Sequence, residues 1–131
     1  MDLGIMSKSW IQTADWKNEK HVPVIEVEKK AEGLYHILVT VGKEIPHPNT
    51  TAHHIKWADL FFWPEGEKFP IEVGYCSFDH HGATAKGADT SNMCSEPVAI
   101  FAFKTKKSGT LMATSFCNIH GLWKSEKELK V

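Results

Sequence analysis

The fold is decided by the stretch YHILVTV, residues 35–41. Its first, third, fifth and seventh residues are tyrosine, isoleucine and two valines, so apolar side chains recur at every second position. A period of two is that of a β-strand with one buried face, and β-branched residues favour strands. The stretch therefore predicts a strand, and we expect His36, which lies between the apolar positions, to be structural or exposed.

Further short runs of the same kind follow along the chain. Residues 71–75 alternate in the same way, and residues 98–104 and 110–117 are rich in aromatic and β-branched side chains. Turn-forming residues separate the runs at 31–33, 64–67, 82–92 and 106–109. This spacing predicts an all-β fold, an immunoglobulin-like antiparallel β-sandwich of about seven strands. Only residues 1–15 and the tail after Trp123 lack a strand pattern, and we expect each to form a turn of helix or to stay mobile.

The length and composition fit a single domain that spans residues 1–131. Of the 131 residues 42% are hydrophobic and 11% aromatic, which is enough to bury one core. The formal net charge is -1 with acids and bases interleaved, so the chain lacks the basic stripe typical of nucleic-acid binding. No stretch approaches the ~20 apolar residues of a membrane span, and no signal peptide is evident. We therefore expect a soluble, cytoplasmic protein with neither a nucleic-acid nor a membrane partner.

The three cysteines, Cys76, Cys94 and Cys117, are an odd number and include no C-x-x-C pair. This argues against a disulfide framework and against a four-cysteine metal site. Cys117 stands apart because His120 follows it, at a spacing that lets one tight loop direct a sulfur and an imidazole to one point. We expect Cys76 and Cys94 to be small apolar fillers or loop thiols.

Other histidines can complete a metal site with Cys117 and His120. His47 and His53 bracket a short turn, and prolines on both sides of His47 restrict the backbone that carries it. His21 is a further candidate near the start of the chain. Four imidazoles and one thiolate exceed the ligands of a structural zinc site, and they suit a redox iron with one coordination position left open. An open coordination position on a redox metal indicates that a substrate reacts there.

Neighbouring histidines offer alternatives to this set. His53 and His54 would point to opposite faces of an extended segment, so only one can face the metal, and we assign His53. His80 and His81 form a rival pair, but only Asp79 accompanies them at ligand spacing. A polar loop or a supporting role is therefore favoured for that pair.

Three segments agree in order and spacing with one known family. They are EKHVPVIE at residues 19–26, GKEIPHPNTTAHH at 42–54 and SFCNIHGLW at 115–123. Together they resemble the superoxide reductases of the neelaredoxin type, the one-iron class of the desulfoferrodoxin family. The match extends from Trp16 to Trp123. The chain lacks the four cysteines of the additional N-terminal iron domain found in the related desulfoferrodoxins.

The resemblance implies a seven-stranded immunoglobulin-like sandwich with one mononuclear non-haem iron. In that family four histidines lie around the iron and a cysteine thiolate is axial; the matching residues are His21, His47, His53, His120 and Cys117. The position opposite the thiolate would take superoxide, and the thiolate favours electron transfer to it. The product would be hydrogen peroxide, without release of oxygen.

The resemblance also implies roles for two charged residues and for partners. Lys20 would attract superoxide and help to deliver a proton, and Glu19 would bind ferric iron as a resting-state ligand. The electron would come from rubredoxin or a similar small carrier. A homo-oligomer is expected, of which a tetramer is one form.

Two readings from other classes remain open at this point. A non-enzymatic electron-transfer protein of the cupredoxin kind also uses a β-sandwich with cysteine and histidine on one late loop, but no methionine follows His120 as an axial ligand. A zinc hydrolase or structural zinc module would leave the fifth ligand unexplained.

Overall fold

Eight β-strands form all the regular secondary structure of residues 9–131, the part of the chain that the computed structural model describes. In chain order they are β1 (Ile11–Gln12), β2 (Pro23–Ala31), β3 (Leu34–Val41), β4 (Ile55–Pro64), β5 (Ile71–Ser77), β6 (Val98–Lys104), β7 (Gly109–Cys117) and β8 (Gly121–Leu129). The strands predicted at residues 35–41, 71–75, 98–104 and 110–117 are β3, β5, β6 and β7. Residues 1–8, part of the segment expected to be helical or mobile, lie outside the described residues.

The strands form two sheets. The larger has the order β1-β8-β7-β4-β5 and the smaller the order β2-β3-β6. Neighbouring strands are antiparallel except β1, which runs parallel to β8. The predicted all-β sandwich is confirmed. The two-residue β1 adds an eighth strand at Ile11–Gln12, within the segment 1–15 where a helical turn or mobile chain was expected, so that expectation is wrong for these two residues. Within residues 9–131 there is no helix that could span a membrane.

The core lies between the sheets and follows the alternation seen in the sequence. Ile37 and Val39 of β3 are fully buried, as are Leu60 of β4 and Leu111 of β7 in the larger sheet. Burying each such side chain stabilises the fold by about 1.5–3 kcal/mol. His36 lies on the other face of β3 and is half-buried.

The expectation that the tail after Trp123 is a helical turn or mobile is wrong. This segment belongs to β8, which pairs with β7 from Gly121 opposite Cys117 to Leu129 opposite Gly109. The side chains after Trp123 are mostly charged, so the strand carries little hydrophobic alternation. Backbone hydrogen bonds to β7 hold it regardless of side-chain type, and Leu129 anchors its end in the core.

An acidic pair lies on the outer face of the larger sheet. Asp59 of β4 is half-buried, and its Oδ1 has no hydrogen-bond partner. A register shift between Leu60 and Phe61 sets Glu72 of β5 opposite Phe61, beside Asp59. Burial, followed by the influence of the neighbouring Glu72 carboxyl group, raises the pKa of Asp59 to about 7. Asp59 therefore keeps a proton at pH values where exposed carboxyl groups are ionised.

Replacing Asp59 by asparagine should change how stability depends on pH. A carboxyl whose pKa is raised by folding stabilises the fold fully below its unfolded pKa, and that contribution is lost as pH rises through the folded value. Between about pH 4 and about pH 7, wild type should lose roughly 1–2 kcal/mol relative to Asp59→Asn, a figure reduced for solvent screening. Denaturant unfolding of the metal-loaded protein at several pH values measures the difference.

The control for this experiment is Glu65→Gln, which changes an exposed acid in the turn after β4. Its stability should follow that of wild type across the same pH range. A constant difference between wild type and Asp59→Asn at every pH would show that folding does not shift the pKa of Asp59.

Candidate metal centre

The five ligands predicted from the sequence converge at one end of the sandwich. At this end β4 begins at Ile55, β7 ends at Cys117 and β8 begins at Gly121, and Cys117 pairs with both of the other two residues. His53 therefore precedes β4 by two residues, and His120 lies in the turn between β7 and β8. The smaller sheet reaches the same end where Pro23 of β2 pairs with Val41 of β3.

The loop that carries His47 turns back sharply after β3. Gly42 has a φ of 81°, and a Cβ at this position would lie 2.7 Å from the backbone N of His47. Only glycine combines this backbone conformation with so close an approach. Further along the same loop, the backbones of Thr50 and His53 exchange hydrogen bonds of 2.9 and 3.2 Å. The loop is thus fixed near both of its histidines.

Four imidazoles form a closed ring. The ring centroids of successive members lie 4.8 Å (His21 to His47), 4.7 Å (His47 to His53), 5.0 Å (His53 to His120) and 4.8 Å (His120 to His21) apart. Potential ligand atoms of His21, His47, His53 and Cys117 all lie within 4.8 Å of one another. Such spacing is compatible with one ion bound between them.

Hydrogen bonds at the rim turn particular nitrogens toward the centre. His47 donates through Nδ1 to the carbonyl of Pro48 at 2.7 Å, and His21 through Nδ1 to Glu19 at 2.6 Å. His21 Nε2 lies 3.2 Å from Nδ1 of His120. The buried Nε2 atoms of His47 and His53 have no hydrogen-bond partner. Buried nitrogens without partners are a feature that a metal ion would explain.

The thiol of Cys117 is fully buried beside this ring. Its sulfur accepts a hydrogen bond from the backbone N–H of His120 at 3.4 Å and lies 3.9 Å from that residue's Nδ1. Backbone N–H donors of this kind tune a metal-bound sulfur. Cys76 and Cys94 are half-buried free thiols outside this group.

Burial favours the neutral form of His21, His47 and His53. It lowers the pKa of His47 to about 4, and it is also the main cause that lowers the pKa values of His21 and His53. The neighbouring imidazoles and the charge of Lys20 add to the lowering at all three. Neutral imidazoles are the form that binds a metal. Lys20 directly precedes His21 in the chain, so its positive charge acts on the ring.

Glu19 and Lys20 are adjacent in the chain, but of these two only Glu19 is paired with a neighbouring side chain in the described part of the chain. The Glu19 carboxylate accepts hydrogen bonds from both the backbone N–H and Nδ1 of His21. Glu19 is thus a support for His21 in this structure. Like His120, it is outside the group of four potential ligands that lie within 4.8 Å of one another. Lys20 is half-buried and forms no ion pair within residues 9–131.

A sequence model of the family described as Desulfoferrodoxin matches residues 13–126. This chain belongs to the desulfoferrodoxin family. A superoxide reductase of Pyrococcus furiosus is 54% identical over 95% of this chain and 100% of its own length. The neelaredoxin of Megalodesulfovibrio gigas is 51% identical over 88% of this chain and 91% of its own.

A solved structure supports the same assignment. The superoxide reductase (neelaredoxin) of Archaeoglobus fulgidus in the reduced form is 58% identical, with a TM-score of 0.91. The alignment covers 94% of this chain and all of that one. The resemblance to neelaredoxin-type members of the desulfoferrodoxin family, inferred from three sequence segments, is therefore confirmed.

Asn118 joins two loops of this desulfoferrodoxin-family chain that carry members of the imidazole ring. Its Oδ1 accepts from the backbone N–H of His54 at 2.8 Å, and its Nδ2 donates to the carbonyl of Ala52 at 2.8 Å. Its own backbone N–H donates to the carbonyl of His54 at 3.2 Å. These three bonds hold the segment of His53 against the turn that carries Cys117 and His120.

Trp123 and Ser115 support the ring from another side. The Trp123 indole stacks on His21 with centroids 5.0 Å apart and donates through Nε1 to the carbonyl of His120 at 3.1 Å. The buried Ser115 hydroxyl donates to the carbonyl of His21 at 3.0 Å. Sequence reasoning did not identify these supporting roles, nor that of Asn118, although all three residues lie in the quoted motif at 115–123.

The histidines weighed as alternatives lie beside the ring. His54 and His81 stack with centroids 3.7 Å apart, and His81 donates through Nδ1 to the side chain of Asn49 at 2.7 Å. Asn49 in turn donates to the carbonyl of Ser95 at 2.9 Å. These contacts dock the 78–96 loop on the loop between β3 and β4.

Asn118→Ala should weaken metal retention without unfolding the protein. The variant loses both side-chain hydrogen bonds between the ligand-bearing loops, and loss of such outer supports typically costs about 10–100-fold in metal affinity. We expect the variant to lose its metal at a chelator concentration roughly tenfold lower than the concentration that strips wild type. Metal per chain after dialysis against graded chelator measures this.

The matched control is Asn92→Ala. Asn92 is exposed, and its side chain has no hydrogen bond within residues 9–131. It should retain metal as wild type does. Equal retention by Asn118→Ala and Asn92→Ala would remove Asn118 from the support of the centre.

Proposed function

We propose that this chain is a superoxide reductase that binds one mononuclear iron. The proposed ligands are His21, His47, His53, His120 and Cys117. The observation that carries the proposal is the ring of four imidazoles beside a fully buried thiol. The names of the relatives and membership in the desulfoferrodoxin family support the same reaction.

The donor set fits a metal better than a network of hydrogen bonds. The Nε2 atoms of His47 and His53 are buried without a partner, and each such group costs about 1–3 kcal/mol unless something binds it. Four imidazoles and a thiolate exceed the three protein ligands of catalytic zinc and suit iron. When bound, iron would supply a one-electron change of oxidation state and a coordination position for a small anion.

The overall reaction consumes one external electron in each turnover. Superoxide takes up that electron and two protons and becomes hydrogen peroxide, so no oxygen is released. The chain itself contributes a water-excluded thiolate at Cys117, an anchored set of imidazoles and a nearby cation. A positive field beside a recessed site raises the local concentration of an anionic substrate.

Lys20 is the cation that we propose for this role. Its charge contributes to the lowered pKa of His21, His47 and His53, which supports a location facing the centre. No carboxylate within residues 9–131 neutralises it through an ion pair. An ammonium group in this place can attract superoxide and hold a water that delivers a proton to the product.

Glu19 is proposed as a sixth, oxygen ligand of the ferric resting state, because a hard carboxylate suits a hard ion. Its hydrogen bonds to His21 both use Oε1, so Oε2 is the oxygen that could bind the ion.

The remaining elements of the proposal follow from the resemblance to neelaredoxin-type proteins. Residues 1–131 would act as a single iron-binding domain in the cytoplasm. Rubredoxin or a similar small carrier would donate the electron, and the chain would form a homo-oligomer, with a tetramer as one form.

Cys117→Ser should abolish the spectroscopic signature of the centre. Wild type is expected to contain one iron per chain, with a visible sulfur-to-iron charge-transfer band in the oxidised state. Removing the thiolate removes the donor of that transition. Metal analysis and the optical spectrum of oxidised protein provide the measurement.

Cys76→Ser is the matched control, because Cys76 is a free thiol outside the centre. It should keep both the iron and the band. Stoichiometric copper or zinc, or a band that survives in Cys117→Ser, would contradict the proposal; copper would favour an electron carrier of the cupredoxin kind.

Lys20→Ala should slow the reaction with superoxide and make it less dependent on salt. We expect a rate constant reduced roughly tenfold at low ionic strength, with the gap from wild type narrowing as salt rises. Iron content should be unchanged, since Lys20 is not a proposed ligand. Pulse radiolysis at several salt concentrations gives the rates.

Lys127→Ala, which removes an exposed lysine of β8, controls for the change in net charge. Its rates should match those of wild type. If Lys20→Ala and Lys127→Ala react equally fast at low salt, Lys20 does not guide the substrate.

A further inference from the structure

A second concave site lies at the end of the sandwich opposite the metal centre. β4 ends at Pro64 and β6 at Lys104 at this end, whereas the metal centre lies where β4 begins. Between the turns that follow these two strands is an open cleft of about 650 Å³. This volume is in the range of small-molecule sites. We call it the lysine cleft, defined by Phe62, Phe69, Ile71, Phe103 and the lysines 68, 104, 106 and 107.

The floor and one wall of the lysine cleft are apolar. Phe62 and Phe103, one from each sheet, meet edge to face with centroids 5.1 Å apart. The side chains of Phe69 and Ile71 are 75% and 48% exposed, so they are not part of the core. Exposed apolar side chains that line a cleft favour an apolar ligand.

The rim of the lysine cleft is strongly positive. Four lysines and one glutamate line it, and that glutamate, Glu67, is paired with Lys107 at 2.6 Å. Within residues 9–131, Lys68, Lys104 and Lys106 form no ion pair. The lining thus carries a formal charge of +3 (four lysines minus one glutamate) in a chain whose net charge is -1. Lys68 follows β4, whereas Lys104 and Lys106 lie at the end of β6, so the charge comes from both sides.

We propose that the lysine cleft binds a single-chain amphiphilic anion of the fatty-acid type. The alkyl chain would lie on Phe69, Ile71 and the half-buried Phe103, and the carboxylate would lie among the unpaired lysines. The charge complementarity selects an anion, and the apolar floor selects one with a hydrocarbon body over inorganic phosphate. This site is separate from the metal centre and does not depend on the proposed reaction.

The test measures displacement of the fluorescent probe anilinonaphthalene sulfonate by decanoate from the metal-loaded protein. Decanoate should displace the probe, and decanol, which has the same chain without the charge, should do so much less well. Lys106→Glu should weaken decanoate binding roughly fivefold, the scale of one exposed ion pair, and higher salt should weaken it further in wild type. Phe69→Ser should weaken decanoate and decanol alike.

Lys86→Glu is the matched control for Lys106→Glu. Both lysines are exposed and unpaired within residues 9–131, but Lys86 lies outside the cleft. It should bind decanoate as wild type does. Equal affinity for decanoate and decanol, or no difference between Lys106→Glu and Lys86→Glu, would overturn the proposal.

Two other occupants are distinguished in the same experiment. Binding to vesicles of anionic phospholipid without binding of free decanoate would overturn the proposal in favour of a membrane surface. Self-association in sedimentation that Phe69→Ser abolishes, together with no decanoate binding, would show instead that the cleft is covered by a second copy of this chain.

Discussion

The pairing of β7 with β4 on one side and β8 on the other is the constraint on which the metal centre depends. Cys117 is the end of this three-strand ladder, since it pairs with both Ile55 and Gly121. His53 and His120 lie within two residues of those partners. A one-residue slip of any strand would turn its side chains to the opposite face, so the core and the centre require the same register.

The strand pairing sets where the residues of the centre lie, and the loops set how their side chains are oriented. Two of the four imidazoles are oriented by local contacts: His47 by a hydrogen bond to the carbonyl of Pro48, and His21 by a hydrogen bond to Glu19 and a stack on Trp123. Asn118 then bonds the loop of His53 to the turn of Cys117 and His120 across the end of the sandwich. These contacts restrict the side chains of the centre, which reduces the conformational entropy that metal binding must otherwise overcome.

Much of this arrangement could be predicted because it depends on local patterns. The alternation at residues 35–41 is a direct consequence of burying one face of β3, and the spacing of Cys117 and His120 is set by one turn. β8 was missed because it pairs through its backbone while its side chains are mostly charged. The role of Asn118 was missed because its partner His54 lies 64 residues away, a separation at which no sequence period gives a signal.

The buried nitrogens show why such a centre lies at the end of the sandwich and not within its core. His47 and His53 each leave an Nε2 buried without a partner, which in the absence of a ligand destabilises the fold by about 1–3 kcal/mol apiece. The fold can bear this destabilisation because the unpartnered nitrogens lie outside the packed core of Ile37, Val39, Leu60 and Leu111. Ligand binding offsets the same cost, so folding and occupation of the centre stabilise each other. The end of the sheets thus combines a rigid backbone with side chains that are satisfied only when the centre is filled.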